Sequence, residues 1–185
     1  YLAPETLEGV SLNAVDYARL KNDPLFSELI SRLESYHPEK LESLEAKLSF
    51  WINVYNILAV KMITDHYPIE SIKDVGSFFK PVWKLSAGNV GGKERTLNDI
   101  EHEILRKMNE PRIHIAIVCA SISCPDLRRE AYVTEKLSEQ LDDQMKSFLQ
   151  SRSKGMKWDE QKNRVFLSAI FKWFADDFAS HGGVL

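Results

Sequence analysis

The chain has 185 residues, 44% hydrophobic and 28% charged, the make-up of one globular domain that needs no metal or cross-link to build a core. Its 24 basic and 27 acidic residues give a formal net charge of −3, and the basic ones are scattered, which argues against a nucleic-acid binder. The most apolar stretch, Phe50 to Ile63, is broken by Asn53, Asn56 and Lys61 and falls short of the ~20 apolar residues that cross a bilayer.

Tyr1 is not a methionine, which leaves room for an upstream segment such as an export signal. After an irregular start, Asp23-Pro24 opens an amphipathic helix through Leu25, Leu29, Ile30 and Leu33, since aspartate caps and proline suits the first helical position. A second helix runs from about Ser43 to Tyr67-Pro68, where the residue before proline leaves helical geometry.

Val82 to Leu85 and Glu94 to Thr96 read as strands flanking the turn-rich Gly88-Asn89-Val90-Gly91-Gly92. These glycines lack the Gly-Lys-Ser/Thr ending and the preceding apolar strand of a phosphate loop, so a hairpin is expected. Thr96 with Asp99 forms a capping arrangement for a helix to about Met108, which Pro111 stops. Ile113 to Val118, short and β-branched, reads as a strand buried on both faces. Beyond Ser121 to Pro125 a helix passes through Leu137, Leu141, Met145, Phe148 and Leu149. A polar excursion, a strand at Val165 to Leu167 and an aromatic helix from Ala169 to Phe178 complete the chain.

No repeat or long linker appears, so residues 1–185 are expected to form a single α+β domain. It is helix-rich, with the long buried helix packed among other helices against a small, mainly antiparallel sheet, and residues 1–43 form a helical N-terminal extension.

Several polar groups fall in apolar surroundings. On the second helix Asn53 and Asn56 share one stripe while Trp51 and Tyr55 belong to the apolar remainder, so the two amides must bond backbone, water or ligand. Glu101 lies inside the apolar arc of Leu97, Ile100, Ile104 and Met108, with His102 beside it, and Asp177 lies between Ile170, Trp173 and Phe174. Each acid needs a cation such as Arg112 or Lys61, or else orients a catalytic histidine.

Cys124, before Pro125, would occupy a helix N-cap that favours thiolate, whereas Cys119 ends the expected strand and packs as a small apolar residue. A disulfide and two inert thiols are equally open readings. With no second tight ligand pair, no zinc site is expected.

These stretches together resemble the family called domain of unknown function 547. The resemblance rests on Ser49 to Asn56 (SFWINVYN), Tyr67-Pro68 with Ser71 to Asp74, Thr96 to Arg106 (TLNDIEHEILR), Arg112 to Pro125 (RIHIAIVCASISCP) and Leu167 to Phe178 (LSAIFKWFADDF), and covers about residues 44 to 178. Ser49 stands where a small apolar residue is expected. The resemblance implies an α+β domain of exported origin, which raises the disulfide reading. It marks Trp51, Asn53, Tyr55, Asn56, Asn98, Glu101, His102, Arg112, His114, Cys119, Cys124, Pro125 and Asp177 as motif positions, and supplies no mechanism.

The expectation is a cysteine-dependent hydrolase or acyl-transfer enzyme for a peptide- or amide-like substrate, distantly analogous to papain or transglutaminase and without cofactor. Cys124 is its nucleophile, His102 its base and Glu101 its orienter. Asn53, Asn56, Trp51, Tyr55, His114, Arg112 and Asp177 line the site. The alternative is a non-catalytic module that binds a small molecule or a protein.

Overall fold

Ser43 accepts the Ala46 N–H on its hydroxyl, and from this cap helix α3 (Leu44–His66) runs through the middle of the molecule. The computed structural model describes residues 1–77 and 80–184. Because α3 is apolar almost all round, its neighbours cover most of its faces and bury Leu48, Ile52, Val54, Leu58 and Met62, while the stripe of Phe50, Asn53, Ile57 and Lys61 is half-buried.

Strands β1 (Leu2–Leu7) and β2 (Val10–Val15) form an antiparallel hairpin where the sequence suggested an irregular start. Helix α1 (Tyr17–Leu20) follows. Then comes α2 (Pro24–Ser35), with the Asp23 carboxylate accepting the Leu25 N–H as expected of a cap.

The glycine-rich loop does join a hairpin, but displaced along the chain. Val82–Lys84 is a 3-10 turn, and the strands are β3 (Ser86–Val90) and β4 (Lys93–Thr96). Gly91 and Gly92, both at positive φ, donate their N–H groups to the Leu33 and Glu34 carbonyls at 3.0 and 2.9 Å. These donors finish the end of α2, so they are not free to cradle a phosphate.

Thr96 and Asp99 cap reciprocally, the Asp99 N–H donating to Thr96 Oγ1 at 3.0 Å and the Thr96 N–H to Asp99 Oδ2 at 3.2 Å. What they open differs from the expected α-helix. Asp99–Leu105 is a π-helix, in which the Arg106 N–H reaches back five residues to the Glu101 carbonyl, and Arg106–Met108 tightens to a 3-10 turn.

Ile113 to Val118 is not a strand. Pro111 and the Glu110 carboxylate, which accepts the Arg112 N–H, start a turn of helix, α4 (Ile113–Ala116), after which Ile117 turns to extended backbone. The neighbour that a strand would need is supplied by a side chain. Asn56 donates Nδ2 to the Ala116 carbonyl at 3.0 Å and accepts the Val118 N–H at 2.9 Å.

Helix α5 (Leu137–Gln150) lies where the sequence put it, but Pro125 opens no helix. The polar excursion hides a strand, β5 (Met156–Asp159), which pairs with β6 (Arg164–Leu167). The aromatic helix is split at Phe174 into α6 (Ala169–Trp173) and α7 (Ala175–Ala179). The α+β class holds, with the β structure of the described residues divided among three separate antiparallel hairpins. None of the described helices is long and apolar enough to cross a membrane.

Two hydrophobic clusters result. The larger surrounds α3 and includes Ile113, and the smaller gathers Ile115, Phe148, Ile170, Phe171 and Phe178. Helix α4 threads between them, which places His114 at the seam.

Candidate functional site

The polar groups at that seam come from five elements. Tyr55 lies on α3, Glu101, His102 and Arg106 on the π-helix and the turn after it, His114 on α4, and Asp177 on α7. Arg106 donates Nε and Nη2 to the two oxygens of Asp177 at 2.7 and 2.8 Å, a bidentate pair. His114 Nε2 meets Asp177 Oδ2 at 2.7 Å. Phe174 stacks on the imidazole, centroids 3.7 Å apart, and the Arg106 guanidinium lies over the same Phe174 ring.

The electrostatics follow from this order. Arg106, with help from the His114 hydrogen bond, lowers the Asp177 pKa to about 2. Burial lowers that of His114, whose side chain is 1% exposed, so the ring is neutral at pH 7. An ionised carboxylate only accepts, so Nε2 carries the proton and Nδ1 keeps the lone pair. That Nδ1 is buried without a hydrogen-bond partner, 3.9 Å from Glu101 Oε1. Glu101 also accepts from the Tyr55 hydroxyl at 3.5 Å. Burial raises the Glu101 pKa, outweighing the opposing pull of the Arg106 guanidinium. The Tyr55 hydroxyl is likewise raised by burial.

Glu101 is 16% exposed and opens onto a cleft of about 770 Å³. Asn98, His102 and His114 line it, Trp83, Trp173 and Phe174 contribute aromatic wall, and the loop from Cys119 to Pro125 also borders it. His102 Nδ1 lies 3.0 Å from Arg106 Nη1. Since arginine can only donate, this nitrogen holds a lone pair, and Nε2 of the neutral ring is left as a donor.

The expected triad therefore meets in one cleft but cannot act as one. Cys124 is joined to Cys119 in a disulfide, Cα atoms 6.3 Å apart, which leaves no thiolate to attack, and the helix N-terminus that was to activate it is absent. His102 has committed its lone pair to Arg106, so it is not a base in this arrangement.

Asn53 and Asn56 are on one stripe as expected, yet both amides serve backbone. Asn53 donates to the Tyr132 carbonyl at 2.7 Å and accepts its N–H at 3.0 Å, as Asn56 does for residues 116 and 118. Trp51 is a core residue beneath Arg95, outside the cleft. Arg112 bonds Glu110, Asp142 and Ser138 and does not reach Asp177. Lys61 pairs with Asp65. The cation at Asp177 is Arg106, the last residue of the Thr96 to Arg106 motif, and not Arg112 or Lys61. Its four-residue spacing from His102 signals only their own contact.

Fold and cleft together define an α+β domain with an acid–histidine–arginine cluster at the junction of two cores. The family model described as "Protein of unknown function, DUF547" matches residues 38–149, more than half of the chain, and the protein belongs to that family. Glu101, His102, Arg106, His114 and both cysteines fall within the match, while Asp177 lies beyond it. No curated protein and no solved structure matches the chain.

Proposed function

We propose that the cleft is the active site of a hydrolase for a peptide- or amide-like substrate, working by acid–base chemistry at Glu101 and without a thiol nucleophile. One observation carries this reading. A partly exposed carboxyl stands at the wall of an open cleft between the Tyr55 hydroxyl and the unpartnered Nδ1 of His114. A carboxyl held off water stays protonated to higher pH and can give its proton to a leaving group.

In the proposed reaction, Glu101 protonates the departing nitrogen as water attacks the carbonyl carbon and the C–N bond breaks. The proton that water loses returns to Glu101, so one water is consumed and the acid is restored. His114, fixed by Asp177 and Arg106, positions the carboxyl and offers Nδ1 as a transient proton acceptor. The N–H of His102 and the Asn98 amide supply donors for carbonyl oxygens of the substrate. The disulfide in the wall of the cleft supports a setting in an oxidising compartment.

Two measurements test the reading. The ¹³C carboxyl shift of Glu101 followed against pH should give a midpoint above the ordinary 4.5, and a midpoint at or below 4.5 removes the acid. On a panel of p-nitroanilide and p-nitrophenyl ester substrates, Glu101→Gln should lose roughly 10²–10⁴-fold in turnover with the fold intact. Equal hydrolysis by wild type and variant refutes the role.

A further inference from the structure

The cleft beside Glu101 carries a large side chain that has no part in the acid–histidine–arginine cluster. Trp173, on α6, lines the cleft and is 70% exposed, the most exposed aromatic among the described residues. Its neighbours in sequence are firmly held. Ile170 and Phe171 are buried in the smaller cluster, the Ser168 hydroxyl accepts the Ile170 N–H at 3.4 Å, and the Phe174 N–H closes the turn on the Ile170 carbonyl at 3.0 Å. Trp173 therefore stands in water on a fixed turn.

Aromatic side chains carry the largest apolar surfaces in a protein, so an indole held open at a cleft leaves surface for a ligand to cover. Tyr67 and Ile122, each 37% exposed, are the other large apolar side chains of the lining that stay open. Phe174 is already occupied, since its ring lies against His114 and beneath Arg106. It also ties the indole to the acid. The residue stacked on His114, whose Nδ1 is 3.9 Å from Glu101, is the next residue after Trp173.

We propose that Trp173 sets the specificity of the cleft, and that the substrate carries an aromatic side chain beside the amide on which Glu101 acts. This inference rests on the reading of the cleft as an active site. A flat ring covers an indole well, by offset stacking or edge-to-face contact. A peptide ring suits the site better than a sugar does, because Ile170 and Phe174, which continue the wall from Trp173, offer no side-chain donor or acceptor to sugar hydroxyls.

The test follows ¹H–¹⁵N spectra of the full chain during titration with N-acetyl-phenylalaninamide, N-acetyl-alaninamide and the trimer of N-acetylglucosamine. The indole signal of Trp173 is identified by its loss in Trp173→Phe. The phenylalanine amide should move that signal and bind with a Kd about tenfold below that of the alanine amide. In Trp173→Ala, followed through the backbone amides of Asn98 to His102, the two Kd values should converge.

Equal Kd values for the two amides on the wild-type chain overturn the proposal, as does a Trp173 signal that the phenylalanine amide leaves in place. A preference that survives in Trp173→Ala overturns it as well. Tighter binding of the sugar trimer than of the phenylalanine amide would give the wall to a glycan and overturn it too. Affinity is read here without turnover, so the two readings fail separately. Equal hydrolysis by wild type and Glu101→Gln removes the reaction, whereas a missing aromatic preference removes the role of Trp173 alone.

Discussion

Asn56 and Glu101 are both polar groups set among apolar neighbours at α3, and they are treated in opposite ways. The amide of Asn56 is occupied on both its oxygen and its nitrogen by backbone. Around Glu101 the pairing is incomplete, with a 3.5 Å contact to Tyr55 and a 3.9 Å separation from a histidine nitrogen that has no partner. Full pairing makes a polar residue part of the architecture. A vacancy beside an open cleft leaves work for a ligand or a proton.

The sharpest way to break the comparison is Asn56→Ala. It strands the Ala116 carbonyl and the Val118 N–H, and should cost about 3 kcal/mol in denaturant unfolding. The architectural role fails if the variant is as stable as wild type. Replacing Cys119 and Cys124 together by serine should cost about 2 kcal/mol through the short loop released in the unfolded chain. Turnover at Glu101 should survive that change, and its complete loss in a folded variant would restore the thiol mechanism.

Acid provides a graded probe. His114 and Asp177 both have folded pKa values below their ordinary ones, so their contributions are full at higher pH and are lost as pH falls. The melting temperature should therefore decline as pH drops below 6.5, through His114, and again between 3.8 and about 2, through Asp177. Asp177→Asn should remove the lower step, and its persistence would assign that step to other carboxylates. Glu101 works in the opposite sense, its raised pKa contributing below 4.5 and being lost as pH rises above it. The smallest effect is expected at Arg112. It joins Glu110 to the exposed Asp142, and Arg112→Met should cost about 1 kcal/mol or less and leave turnover unchanged.

Sequence reasoning reached the elements whose signals are local. The caps at Asp23 and Thr96, the start of α3 near Ser43, and the apolar runs of α3 and α5 need no tertiary information. The misses are cases where a partner elsewhere in the chain decides. Ile113 to Val118 has strand composition but meets the amide of Asn56 in place of a strand, and β5 shows no apolar alternation because its side chains remain exposed on both faces.

Glu101, His102 and Asp177 are legible as polar residues in or beside apolar arcs, and His114 as a position of the family motif. Their partners are not. The pairing of Arg106 with Asp177 spans 71 residues, so no local pattern distinguishes Arg106 from Arg112 as the cation at Asp177.

Tyr55 and Asn56 are consecutive residues, and they face in different directions from the same helical turn. One reaches the carboxyl of Glu101, the other holds the backbone that leads into the disulfide loop. Helix α3 thus serves as a gauge block for the cleft, since both walls take their position from a single rigid reference.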